Sequence, residues 1–437
     1  MNDSQGSAAI DGVRPPSFAE ALRVWAKIGI TSFGGPAGQI ALMHRVLVEE
    51  KKWIDEQRYL SALNFCMLLP GPEAMQLATY VGWRLHGLKG GLVAGLLFVI
   101  PGALVVLALS MLYAALGKLP VAEALLTGVK AAVLAIVVEA LVRIARRGLK
   151  AGADKMLAAA AFVAIFFFGV PFPLIVMAAA IFGFLRGSDQ PSSTPSPSAP
   201  VPIAQTVATT ALWLAIWVLP LLAVAAVFGK GHVLAQIGLF FSKLAVVTFG
   251  GAYAVLAYMA QDVVQHHGWL DAGEMVDGLG LAETTPGPLI LVTEFVGFLA
   301  AFRHGGGNAW AMGVLGAAVT LWATFAPCFL WIFVGGPYIE RLHTAPRLQS
   351  ALAAVTAAVV GVILNLTVWF ALNVLFGTVV ETWAGPLRLY VPDLSSLNWV
   401  ALGLAALAVV LLFVLHRGII TTLAICAALA LAIHHIA

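Results

Sequence analysis

The sequence predicts an all-α polytopic membrane protein whose two homologous halves form an inverted-topology repeat with Gly/Pro-broken helices. Three observations predict it. First, the 437 residues are 61% hydrophobic and 10% charged, with a mean hydropathy of +0.95. No water-soluble fold hides that much apolar surface, so the solvent is lipid. Second, a set of residues recurs at a single offset of 216 positions. Phe33-Gly34-Gly35 returns as Phe249-Gly250-Gly251, and Pro70-Gly71-Pro72 returns as Pro286-Gly287-Pro288. Lys27, Trp53 and Asp55 return as Lys243, Trp269 and Asp271. Third, the loops between the paired breaks differ in charge. The first holds Arg45, Lys51, Lys52 and Arg58, whereas the second, Gln261 to Glu274, has no Lys or Arg. Homologous loops of opposite basic bias are expected on opposite sides of a membrane, with the first one cytoplasmic.

In chain order, residues 1–17 are a polar tail without the charged start and short apolar core of a cleavable signal. The first half is expected over 18–186. It opens with an amphipathic stretch from Phe18 to Lys27 and breaks at Phe33-Gly34-Gly35-Pro36. A second broken segment runs from Tyr59 to Trp83 through Pro70-Gly71-Pro72. Apolar stretches follow at about 88–116, 121–142 and 156–185, the last interrupted by Pro171-Phe172-Pro173 and read as a helical hairpin. Residues 187–204 are Ser/Pro-rich, a linker composition. The second half is expected over 205–437. It adds a leading span at about 206–228, repeats the broken pair at 232–259 and 276–300, and continues with apolar stretches at about 308–335, 349–376, 398–415 and 418–437. Trp53 and Trp269 read as interfacial anchors.

A basic cluster at Arg143, Arg146, Arg147, Lys150 and Lys155 also reads as cytoplasmic. Three apolar stretches separate it from the first basic loop, and three full crossings cannot join two cytoplasmic loops. The Pro70-Gly71-Pro72 segment is therefore expected to be re-entrant or split, since proline removes a backbone donor and glycine frees the chain. The same logic puts Arg341 and Arg347 inside, and Glu381 and Asp393 outside.

The composition excludes other classes. A net charge of +3 with no basic tract gives no sign of nucleic-acid binding. Cys66, Cys328 and Cys426 are an odd number in apolar segments, with no metal-ligand spacing. No catalytic constellation, metal site or cofactor motif is present, so neither an enzyme nor a cofactor is expected.

The breaks are the candidate site. A helix that stops within the membrane leaves unpaired N–H groups and a partial positive charge at the start of its second piece, which suits an anion. The candidate substrate-binding set is Lys27, Phe33, Gly34, Gly35, Pro36, Gln39, Pro70, Gly71, Pro72, Lys243, Phe249, Gly250, Gly251, Tyr253, Thr285, Pro286, Gly287 and Pro288. Gln39, Asn64, Gln76, Tyr253, Thr284 and Thr285 can orient a substrate or satisfy freed backbone. Gly-Gly pairs also suit close helix packing, and the two lysines can equally snorkel to headgroups. Intramembrane ionisable residues are functional candidates by default. Here they are Glu73, Lys130, Glu139, Glu283 and Glu294, of which Glu73 and Glu283 are the candidates for proton coupling. Glu139 is expected to pair with Arg143, four residues on.

These motifs resemble the chromate ion transporter family in its long, two-domain form. The likeness is carried by Ser32-Phe33-Gly34-Gly35-Pro36 with Gln39, Trp53, Leu69-Pro70-Gly71-Pro72 and Gly82. In the second half it is carried by Thr248 to Tyr253, Gly268-Trp269, Glu283 to Pro288, Phe295-Val296-Gly297 and Pro337 to Glu340. It covers about 18–350. The resemblance implies a secondary active transporter in the cell inner (plasma) membrane that exports chromate in exchange for protons and confers chromate resistance, with sulfate as a competitor. The partners expected are chromate, protons and the lipid bilayer, with a homodimer among the oligomeric options. The alternatives are a transporter or exchanger of sulfate or another oxyanion, and a passive anion channel.

Overall fold

The computed structural model describes residues 16–33, 35–117, 119–187, 202–249, 252–339 and 346–436. Gly34, Gly250, Gly251, Arg341 and most of the 187–204 linker lie outside the described residues. The chain is helical almost throughout, because lipid offers backbone polar groups no partner and a helix satisfies them internally. In order, the helices are α1 (Phe18–Thr31), α2 (Gly35–His44), α3 (Glu56–Leu68), α4 (Glu73–Leu116), α5 (Pro120–Gly148), α6 (Gly152–Phe168), α7 (Phe172–Arg186), α8 (Ile203–Phe228), α9 (Val233–Val247), α10 (Ala252–Gln261), α11 (Ala272–Thr284), α12 (Val292–His304), α13 (Ala309–Gly335), α14 (Pro346–Leu375), α15 (Trp399–Val409) and α16 (Ile419–Ile436). Among the described residues, six stretches are long and apolar enough to span a membrane: α4, α5, α8, α13 with the turn after it, α14 and α16.

The all-α expectation meets one exception. Residues Val379–Ala384 (β1) and Leu387–Pro392 (β2) form an antiparallel hairpin. The segment is too polar to read as a span, and alternating Leu387, Leu389 and Val391 give it strand periodicity.

Two compact units are present, and each draws on both sequence halves. The first comprises Met1–Ala108, Asp189–Ala252 and Thr285–Pro346. The second comprises Leu109–Ser188, Tyr253–Thr284 and Arg347–Ala437.

The repeat seen in sequence is also a repeat of structure. Asp55 caps α3 by accepting from the Arg58 amide at 2.8 Å, and Asp271 accepts from the Glu274 amide at 2.8 Å ahead of α11. A π-helical turn follows α2 at Arg45–Glu50, and another follows α10 at Asp262–His267. The Trp53 amide donates to the Leu47 carbonyl, and that of Trp269 to Val263. Both tryptophans are 4% exposed. They are therefore packed inside the protein and not displayed as interfacial anchors.

α4 is not a straight rod. At roughly 1.5 Å per residue, 44 helical residues would reach about twice the hydrocarbon thickness. The chain reverses at His86 and Gly87, where φ is +60° at the glycine. The two arms meet at Gly82 and Gly90, where a methyl on Gly82 would lie 2.5 Å from the Gly90 carbonyl oxygen. Gly297 of α12 and Gly316 of α13 meet in the same way. Small residues let backbones approach closely where no hydrophobic force drives helices together.

Candidate functional site: four helix breaks in the first unit

α1, α2 and α3 have 14, 10 and 13 residues. At roughly 1.5 Å each, none covers a 30 Å hydrocarbon core. The chain stops at each place the sequence marks. α1 ends before Ser32, α3 ends before Leu69-Pro70-Gly71-Pro72, α9 ends before Thr248, and α11 ends before Thr285 to Pro288.

The endings of α1 and α9 are alike in detail. Ser32 Oγ donates to the Ile28 carbonyl at 2.6 Å, and Thr248 Oγ1 donates to Leu244 at 2.5 Å. Such back-bonding loosens the last helical turn. The next amide, Phe33 or Phe249, closes a tight turn onto Thr31 or Val247.

Both carbonyls released by these endings are taken up by the opposite half of the sequence. The Gly71 amide donates to the Thr248 carbonyl at 2.8 Å, and the Gly287 amide donates to the Ser32 carbonyl at 2.8 Å. Gly71 and Gly287 correspond across the repeat, as do Ser32 and Thr248. A contact whose repeat-mate is its own reverse is the mark of two-fold symmetry. Both glycines hold left-handed φ, +118° and +89°, which side chains avoid.

Each of the two glycines also faces a proline-containing long helix. A Cβ on Gly71 would stand 3.1 Å from Cys328 Sγ, beside Pro327 within α13. A Cβ on Gly287 would stand 3.4 Å from Gly102 Cα, beside Pro101 within α4.

Side chains complete the breaks unequally. Gln39 is buried and its Nε2 donates to the Gly287 carbonyl at 2.5 Å. Gln76 is buried and its Nε2 donates to the Pro70 carbonyl at 2.7 Å. Both amides satisfy freed backbone, and buried Gln76 Oε1 is left without a hydrogen-bond partner among the described residues. Pro36 stands in the first turn of α2, and Phe33, Pro70, Pro72, Thr285, Pro286 and Pro288 make up the breaks. Thr285 is buried. Phe249 sits at the end of α9. Lys27 and Lys243 lie on exposed faces of α1 and α9.

Glu73 opens α4, half-buried in its first turn. Glu294 is 1% exposed in the first turn of α12, and its Oε2 has no hydrogen-bond partner among the described residues. Tyr253 and Glu283 belong to the second unit, where the Tyr253 hydroxyl donates to Glu283 Oε1 at 2.8 Å. Arg143 pairs with Glu139 at 2.8 Å, as their spacing predicts. Asp277, overlooked in the sequence, is buried in α11 and holds Lys130. Its signal was a carboxylate within an apolar run, Met275-Val276-Asp277-Gly278-Leu279.

The chromate transporter family profile matches residues 19–184 and 235–432, one block in each half. The chain belongs to the chromate transporter family. It is 29% identical to a chromate transport protein of Cupriavidus metallidurans over 83% of this chain and 84% of the relative. It is 33% identical to a chromate transport protein of Pseudomonas aeruginosa, over 82% of each. An uncharacterized transporter of Methanocaldococcus jannaschii is 26% identical over 86% of this chain and 89% of its own length. No solved structure matches. Both family blocks of this chromate transporter family member contain a complete pair of breaks, so the duplicated element is the part of the chain that the family shares.

Proposed function

We propose that the chain exports chromate across the cytoplasmic membrane in exchange for protons, and so confers chromate resistance. The observation that carries this reading is the reciprocal pairing of Gly71 with Thr248 and of Ser32 with Gly287, in a chain of the chromate transporter family. Paired broken helices about a pseudo-two-fold axis are the construction of many secondary transporters, whose substrate sites lie where the breaks meet. The opposite basic bias of the two homologous loops supports an axis in the membrane plane, which makes the repeat inverted.

In this reading the helix starts after the breaks hold a tetrahedral dianion. Backbone N–H groups and the positive ends of α2 and α4's first arm supply the donors. Gly71 and Gly287 shape the site without touching the anion, since their amides are engaged between the halves. Lys27 and Lys243 attract the anion from exposed positions, where their charge raises its local concentration. Glu73 and Glu283 are the proton-exchange candidates, and the buried, partnerless oxygen of Glu294 adds a third.

The test is accumulation of radioactive chromate in inside-out membrane vesicles, with and without an imposed proton gradient. Uptake that collapses on adding an uncoupler is the expected result. Downhill flux indifferent to the gradient identifies a channel. Sulfate flux without chromate flux moves the substrate to sulfate.

A further inference from the structure

We propose that the second unit contains an oxyanion-binding vestibule, in which Lys130 receives the anion and Asp277 competes with it for the same ammonium. The proposal rests on the chain being an oxyanion transporter and adds a second place where the anion is bound.

Lys130 lies in α5 with its Nζ 3.1 Å from Asp277 Oδ1. The other carboxylate oxygen, Oδ2, accepts from the Tyr113 hydroxyl at 2.8 Å. Asp277 is thereby fixed from two sides and is 6% exposed. An ammonium has three donors; here it lies beside Asp277 Oδ1 as an ion pair, and that oxygen makes no hydrogen bond among the described residues. The remainder of Lys130 lines a cavity of about 190 Å³, with Thr127 of α5, Asn373 at the end of α14, and Ser396 and Asn398 ahead of α15. One water needs roughly 10–15 Å³ on the same measure, so a hydrated or bare tetrahedral anion fits. Among the described residues, Lys130 is the cavity's one charged lining residue, and no carboxylate lines it.

The other polar lining groups are largely committed, Asn373 Nδ2 among them through the Trp369 carbonyl, and the Asn398 amide is the exception. Asn398 Oδ1 accepts from the Ala401 amide as a helix cap, which leaves its amide N–H groups unassigned. Thr127 and Ser396 donate to the Glu123 and Asp393 carbonyls. An oxyanion in the cavity therefore meets the Lys130 ammonium and the Asn398 amide.

Asp277 gives the site its character. A lysine alone in low dielectric would hold a dianion tightly and slow its departure. The Asp277 carboxylate stays paired with the ammonium when the anion leaves, so the charge is never stranded. Such a site binds weakly and releases fast, which suits a vestibule. Asp277 is thus a positioning residue that acts through Lys130.

The experiment measures sulfate and chromate binding to purified full-length protein by calorimetry, alongside vesicle transport, at one fixed pH. Asp277→Asn keeps the ammonium and removes its competitor. Binding is expected to tighten by about tenfold or more, with KM and kcat falling together as release slows. Lys130→Gln alone would strand a buried carboxylate, so the neutral pair K130Q/D277N is used. It is expected to fold, and to weaken binding by about tenfold or more. Chromate transport with binding unchanged in both variants overturns the vestibule and leaves the transport reading intact. Wild-type protein that binds neither anion and transports neither overturns both.

Discussion

The amide of Gly71 donates to the carbonyl of Thr248 across 2.8 Å, although the two residues come from opposite halves of the chain. The reverse bond, Gly287 to Ser32, has the same length. Together they join the four breaks in two pairs, second with third and first with fourth, within the first unit. Each uses a glycine at positive φ.

Gly71→Ala and Gly287→Ala are therefore expected to cost similar stability. A non-glycine residue in such a conformation costs about 1–3 kcal/mol, and the added methyl meets Gln76 at 2.9 Å in one case and Leu291 at 3.1 Å in the other. Thermal unfolding in detergent should show both midpoints lowered by comparable amounts. An unchanged midpoint in either variant would remove the symmetric role.

Gly102 of α4 packs directly on the Pro286 carbonyl, so that a Cβ there overlaps backbone. Gly102→Leu should abolish vesicle transport while the protein still reaches the membrane. Gly403 of α15 has open space around it. Gly403→Ala should leave transport intact and add about 0.5–1 kcal/mol of helix stability. Equal transport by the two variants would show that the approach of α4 to the break is dispensable.

Arg388 of β2 is buried, and it donates to the carbonyls of Ile165 at 2.5 Å and Phe166 at 3.2 Å. These are orphan carbonyls in the last turn of α6, which a helix cannot satisfy by itself. Hydrogen bonds to a charged group contribute about 1.5–3 kcal/mol each. Arg388→Met should lower the unfolding midpoint, and Arg388→Lys should restore little of it, because an ammonium lacks the fork that reaches both carbonyls. Full recovery with lysine would indicate that charge alone matters.

The proposed inverted arrangement has a direct readout. Cys66, Cys328 and Cys426 are all buried and free, so an impermeant thiol reagent should find a low background. Arg45→Cys and His266→Cys place thiols on exposed positions of the two homologous loops. Labelling from opposite sides of the membrane is expected, with Arg45→Cys reached from the cytoplasm. Labelling of both from one side would make the repeat parallel.

The sequence by itself determined where the helices run and where they stop. Apolar length specifies a span because lipid cannot pair with backbone, and Pro70-Gly71-Pro72 with its repeat stops a helix through local chain chemistry alone. The duplication was equally legible, since one offset preserved motifs, caps and turns. Only the tertiary structure decided what those breaks meet. Hydrogen bonds from Gly71 to Thr248 and from Gln39 to Gly287 join residues 177 and 248 positions apart, and no local pattern encodes such a partner. The same is true of Lys130, which has no acidic residue three or four positions away on its own helix. It pairs with Asp277 because α5 and α11 pack together, and burial of one charge demands whichever opposite charge the fold brings alongside. Position along the chain settles local stops and starts. Pairing of buried polar groups is settled by which helices share an interior.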